Sequence, residues 1–419
     1  MNNGLAVPQL LSPAGDLESL DAAVMYGADA VYVGAREFSL RSPGLSDGEL
    51  STAVRKAREG GVKIYLACNA VPCNADADAF PRFVEKAADM GIDAVIVSDP
   101  GFFDIARSCR PALPVHISTQ AGVANYAACN AWYKAGARRV ILAREMTARE
   151  IRELREKTPP DLEIEVFVHG AMCVSFSGRC LLSAYMTGRD ANKGMCSHPC
   201  RWEYSLAGAK AASLREKTRP DEDFELLEDG RGSYILNSKD LCVIGRVGEL
   251  ADAGVSSLKI EGRAKTAYYV AVITNAYRAA LDALERGEGV PEWAMREVFC
   301  VSHRPYSTGF YFGEKGAQCH GNGGYIRECD FVGTVDGYAD GALEVTQRGC
   351  FSEDDVIEAV VPRRAPERIR VKEMYDERGE RIRVANRAMS KLRILCGRAY
   401  AAGTMIRRLN GGDVVFSKR

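Results

Sequence analysis

Cys173, Cys180, Cys196 and Cys200 fall within 28 residues, spaced C-x6-C-x15-C-x3-C, while the other ten of the chain's 14 cysteines are scattered. Thiolates this close repel one another and lose solvation unless a cation or an oxidised iron core neutralises them. The pattern therefore predicts a disulfide pair, a zinc ion or an iron–sulfur cluster. Disulfides rank last. Met1 to Leu11 has no basic start and no long apolar core, so no secretory leader is expected. A cytoplasmic chain sits where thiols stay reduced. Structural zinc favours two tight knuckles, and only Cys196 and Cys200 form a close pair. Gly178, Gly188 and Gly194 in the gaps suit a cluster wrapped by loops, which puts iron–sulfur ahead of zinc.

The elements that must hold these residues follow from the rhythm of the chain. Short apolar runs occur at Leu10–Leu11, Ala30–Val33, Lys63–Ala67, Ala94–Val97, Val115–Ile117, Val140–Leu142, Ile164–Val168 and Leu258–Ile260. Segments with apolar residues at helical spacing lie between most of them, such as Leu17–Tyr26 and Leu50–Glu59. Gly27, Gly61, Gly91, Gly136 and Gly254 each stand just before a strand, where a helix ends on a left-handed residue. Eight such units predict an α/β fold, a TIM-like (β/α)8 barrel over residues 1–290, rather than an open doubly wound sheet. The segment 169–203 then leaves from strand seven as an inserted loop over the barrel mouth.

Barrel chemistry sits where strands end. Those positions read Ser12, Gly34, Asn69, Ser98–Asp99, Ser118–Gln120, Arg144–Glu145, His169 and Glu261–Arg263. Taken singly, each is more often a loop cap than a catalytic group. His169 and Glu145 stand out as ionisable residues on adjacent strand ends and are the catalytic candidates. Residues 205–233 interrupt the rhythm as a charged excursion, and 291–329 form a connector whose SHRPYSTGFYF stretch is expected to edge the site. Residues 330–419 read as short strands split by Asp340-Gly341 and Arg378-Gly379 turns, a small β-barrel or sandwich.

Residues 361–419 carry 16 Lys and Arg against 6 Asp and Glu, whereas the rest of the chain carries 39 against 50. A basic tail on an acidic body is what contact with a polyanion requires, although a solvated basic face has the same composition. No apolar run reaches the length of a membrane span. Walker loops, H-E-x-x-H, G-x-S-x-G and a C-x3-C-x2-C radical signature are all absent, so no hydrolytic nucleophile can be named. GNGGY at Gly321–Tyr325 lacks the Lys-Ser/Thr of a phosphate loop and reads as a turn.

The stretches LLSPAGDLESLDAAVMYGADAVYVG, HGAMCVSFSGRCLLSAYMTGRDANKGMCSHPCRWEY, NSKDL and SLKIEGRAKTAYYVA resemble the collagenase-like peptidase family of uncharacterised catalytic type, over nearly the whole chain. SHRPYSTGF and the β-rich tail look most like the branch tied to prephenate-dependent tRNA hydroxylation. That resemblance implies a [4Fe-4S] cluster on Cys173, Cys180 and Cys196, with Cys200 as fourth ligand and Cys242 as the substitute. It also implies 5-hydroxylation of the wobble uridine, with prephenate as co-substrate or ligand and tRNA phosphates held by the basic tail. Arg36, Arg41, Arg144 and Arg263 are candidates for pairing with a small dicarboxylate, beside Asn69, Gln120 and Glu261 as substrate-binding residues. The competing reading is a peptidase.

Overall fold

The computed structural model describes residues 7–40, 44–173, 175–202, 213–215, 223–225, 227–229, 232–234, 238–313 and 325–410. Arg41, most of the charged excursion and the glycines at 321–324 lie outside the described residues.

Every one of the eight apolar runs is a strand. They are β1 (Gln9–Pro13), β2 (Ala30–Gly34), β3 (Lys63–Cys68), β4 (Ala94–Val97), β5 (Val115–Ile117), β6 (Arg139–Ile141), β7 (Glu163–Ala171) and β8 (Ser257–Ile260). Each pairs in parallel with the next, and β8 returns to β1, so the sheet closes into a barrel. Closure buries both faces, which is why the strands read as continuous apolar runs. The intervening helices are α1 (Leu17–Met25), α2 (Asp47–Glu59), α3 (Asn74–Met90), α4 (Pro100–Cys109), α5 (Tyr126–Ala135), α6 (Ala148–Glu156) and α7 (Val247–Asp252), with α8 (Ala267–Glu285) after β8. Ser46 with Glu49, and Thr147 with Glu150, form reciprocal capping boxes that fix where α2 and α6 begin. The five pre-strand glycines all have positive φ, which no β-branched residue adopts cheaply.

Between β7 and α7 the chain runs through the cysteine segment and comes back along Asp240–Cys242. That short strand pairs antiparallel to β7, with Cys242 opposite His169, and parallel to Tyr306–Ser307. Arg304 anchors the junction. Only 2% exposed, it donates from Nε and Nη2 to Asp240 Oδ1 at 3.0 and 2.7 Å. The SHRPYSTGFYF stretch is thus a brace on the sheet edge, where the sequence suggested an edge of the site.

Contacts divide the chain into two units, with a division at 326 close to the expected 330 but none at 290. One holds residues 1–16, 29–264 and 303–325; the other holds 17–28, 265–302 and 326–419. The second unit therefore includes α1 and α8 with the C-terminal strands. Its sheet has eight antiparallel strands, built on Cys329–Ala339, Ala342–Gln347, Val356–Val360, Glu367–Arg370, Met374–Asp376, Arg381–Ile382, Lys391–Leu395 and Met405–Leu409. Val332, Leu343, Phe351, Ile357, Ile394 and Ile406 fill its core. Arg407, 2% exposed, is clamped between Glu297 at 2.6 Å and Glu358 at 2.8 Å. Tyr26 at the end of α1 donates to the Val360 carbonyl at 2.7 Å and accepts from the Met405 amide at 3.1 Å.

This unit corrects the charge argument. The basic window opened inside the domain, because acids cluster in its first strands. From residue 330 to 419 the balance is 17 Lys and Arg against 14 Asp and Glu, a net +3. Arg370–Asp354, Arg381–Glu353, Lys391–Asp336 and Arg408–Asp330 pairs join strands within the sheet. The excess expected to face a polyanion is largely spent locally. Among the described residues no helix is long and apolar enough to cross a membrane.

Candidate active site

The ends of the barrel strands converge on one cavity of about 130 Å³. Asn69, Gln120, Arg144, Glu261 and Arg263 line it, as do Cys173, Cys180, Cys196 and Cys200. None of the four cysteines is in a disulfide, and all are partly exposed. Asn69, just past β3, accepts from the Leu40 amide at 3.2 Å and reaches Ser118 Oγ at 3.5 Å, so it ties together three strand-end loops. Arg263, beyond β8, donates to Ser39 Oγ at 2.6 Å. A Cβ on Gly34 would sit 2.0 Å from the Arg263 guanidinium, and one on Gly15 would sit 1.9 Å from its carbonyl oxygen. Two glycines therefore make room for this one arginine.

Arg144 is the most suggestive group in the cavity. It is 7% exposed, its Nη1 reaches the Ala171 carbonyl at 3.4 Å, and its Nε has no hydrogen-bond partner. Gln120 Oε1 is also buried without a partner. A buried donor or acceptor left unmade costs more than a typical hydrogen bond returns. Such groups are kept where a ligand completes them.

The cysteine segment is ordered by its own polar contacts. Glu145 accepts from the Ser177 amide at 2.6 Å and from Ser177 Oγ at 2.7 Å, pinning a serine whose φ is +45°. Asn192 brackets Cys180, accepting from its amide at 3.2 Å and donating to its carbonyl at 3.0 Å. The Leu182 amide points at Cys180 Sγ (3.3 Å), and the His198 amide at Cys196 Sγ (3.4 Å). Among the described residues no three His, Cys, Asp or Glu side chains converge closely enough to hold a single metal ion. Cys173, Cys180, Cys196 and Cys200 do border one cavity, and none of them is in a disulfide. Cys242 does not line this cavity, whereas Cys200 does.

Three other candidates stand elsewhere. Arg36 is exposed, 3.9 Å from Glu49. Glu145 holds Ser177 and does not line the cavity. His169 is 1% exposed, with Nε2 3.5 Å from the Tyr306 hydroxyl, and is not among the residues lining the cavity. The pairing of β7 with β8 shifts register beside it: Lys259 pairs with Phe167 but Ile260 with His169.

What the strand-end reading missed lies deeper. Glu165, fully buried, sits between Arg139 at 2.8 Å and Lys259 at 3.2 Å, and Ser257 Oγ donates to it at 3.0 Å. Burial alone would raise the Glu165 carboxyl, but Lys259 and Arg139 overcome it and hold the group below its ordinary value. Burial pulls the Lys259 ammonium down in spite of Glu165. Lys259 lines the cavity floor. The available signal was a charge inside an apolar strand, in SLKI and EIEVF, since a closed barrel has no polar face to give it.

Comparison with known proteins agrees with this architecture. Residues 15–321 match the model of peptidase family U32, and residues 327–407 match the model of the U32 C-terminal domain. The chain is 40% identical over 336 residues to tRNA hydroxylation protein P of Escherichia coli, covering 72% of this chain and 74% of that one. With tRNA hydroxylation protein P1 of Bacillus subtilis it shares 35% identity over 414 residues, 96% of this chain and 94% of that one. It is also 31% identical over 343 residues to a Porphyromonas gingivalis protein named collagenase, covering 78% and 79% of the two chains.

Proposed function

The chain belongs to peptidase family U32, and we propose that it acts in tRNA modification, in prephenate-dependent 5-hydroxylation of the wobble uridine. In this reading Cys173, Cys180, Cys196 and Cys200 hold a [4Fe-4S] cluster. The observation that carries it is one cavity lined by these four cysteines and by Arg144, Lys259 and Arg263. The names of the two hydroxylation relatives support the substrate class.

Each group has a part. Bound there, a [4Fe-4S] cluster supplies one-electron chemistry. Arg144 and Arg263 pair with the carboxylates of a small dicarboxylate in fork geometry. Gln120 and Asn69 offer amides to the donor–acceptor edge of a uracil ring. An anticodon-loop base is single-stranded, so it can be turned into such a pocket without melting a duplex. Phosphate contacts fall to exposed basic side chains, and the net +3 of residues 330–419 leaves the C-terminal domain fewer of them than its last strands suggest.

Nucleoside analysis of tRNA tests this directly. In a strain lacking the gene and any second copy, 5-hydroxyuridine and its derivatives should vanish. The wild-type gene should restore them and Cys196→Ser should not. Unchanged modification in the deletion strain overturns the reading. The collagenase-named relative motivates the other arm: iron-free protein that degrades gelatin would support a peptidase.

A further inference from the structure

Lys259 has no role in the account so far. It lies in β8, where all four residues are buried, and is itself 5% exposed. Its side chain nevertheless reaches the cavity floor. There the Nζ stands 4.3 Å from the centroid of Tyr32 and 5.4 Å from that of Phe167.

The bland reading is a structural ion pair with Glu165. Lys259 shares Glu165 with Arg139 and Ser257, but of these only Lys259 also lines the cavity. Arg139 already meets Glu165 Oε2 in an aligned hydrogen bond at 2.8 Å, and Ser257 adds a second at 3.0 Å. Lys259 meets the other oxygen, Oε1, at 3.2 Å. A buried amine beside a carboxylate that other donors already hold is an amine available for chemistry. Above it, the unpartnered Nε of Arg144 marks where an anionic group would be held.

We propose that Lys259 is a catalytic residue whose amine condenses with the ketone of a 2-oxo carboxylate, the acid groups of which are held by Arg144 and Arg263. A ligand with carboxylates alone would need only the two guanidiniums; the amine adds a partner for an electrophilic carbon. The proposal rests on reading this cavity as a small-carboxylate site, and it names the ligand class for that site. In the step itself, Glu165 takes a proton from the ammonium and the freed nitrogen attacks the ketone carbon. The resulting carbinolamine loses its oxygen as water, using the proton that Glu165 returns. A C=N bond replaces C=O, one water leaves, and nothing is oxidised or reduced. The product is an iminium that draws electrons from the neighbouring carbons. Burial, which lowers the ammonium's hold on its proton, assists the first step.

Full-length, anaerobically purified protein is incubated with 2-oxoglutarate and borohydride, with succinate as the control lacking a ketone. Ligand binding is followed in parallel by thermal shift. The proposal expects a reduced adduct on the peptide containing Lys259, absent with succinate and absent in Lys259→Arg. Lys259→Met, checked for folding by its melting curve, should also lose the adduct. Binding of 2-oxoglutarate without an adduct overturns the role of Lys259 and leaves the carboxylate site standing. Equal labelling of wild type and Lys259→Arg overturns it too. If neither acid binds, the carboxylate site and this inference fail together.

Discussion

At the scale of single residues, the buried charges under the cavity make the sharpest demands. Glu165→Gln removes the anion between Arg139 and Lys259 and leaves two cations with less than they need. Breaking one side of a buried pair costs about 3–5 kcal/mol, so chemical denaturation should show a loss of that size. The effect has a pH signature. Because the folded-state value of Glu165 is depressed, its stabilisation is present at neutral pH and is lost as pH falls through that value. The stability gap between wild type and Glu165→Gln should therefore be flat near pH 7 and shrink below roughly pH 4. Arg144→Lys keeps the charge but loses the planar fork, and activity should then need about tenfold or more of the small carboxylate for half saturation. That Cys173, Cys180, Cys196 and Cys200 stand close together was legible from their spacing, and all four line one cavity. His169 is not in that lining, and the register shift beside it, between Lys259 and Ile260, cannot be seen in a sequence.

Elements carry the next level. The eight strands and most of their helix ends were legible nearly residue for residue, since left-handed glycines punctuate five of the seven helix-to-strand turns. Strands Met374–Asp376 and Lys391–Leu395 were not, because one is three residues long and the other alternates charge with apolar side chains. Glu145, expected to catalyse, is instead the clasp of the cysteine segment through Ser177. Glu145→Ala should cost about 1–3 kcal/mol at most and act locally. Limited proteolysis should cut within residues 171–202 at least several times faster than in wild type. Equal rates would show that the segment is held by something other than this clasp. Gly34→Ala, by pressing on the Arg263 guanidinium, should weaken carboxylate binding while sparing the cysteines.

For the molecule as a whole, the sequence correctly announced a barrel followed by a β-rich domain, but drew the line between them by position along the chain. The fold groups α1 and α8 with the C-terminal sheet, a long-range association that no local pattern encodes. The tail's charge was misjudged for a related reason: acidic partners such as Glu353 and Asp336 lie earlier in the chain, in the same unit. Replacing the exposed Arg378, Arg383 and Arg387 together by alanine tests what remains. Were these residues phosphate contacts, the slope of log Kd for tRNA against log salt would fall by roughly two to three; an unchanged slope removes the tail from the interface.

Everything functional in this account depends on sulfur ligating iron over the barrel mouth. Iron and acid-labile sulfide should be measured in anaerobically purified wild type, Cys200→Ser and Cys242→Ser. The account predicts about four of each per wild-type chain, a sharp loss in Cys200→Ser, and wild-type content in Cys242→Ser. Iron-free wild-type protein, or iron that survives at Cys200→Ser and disappears at Cys242→Ser, would contradict it.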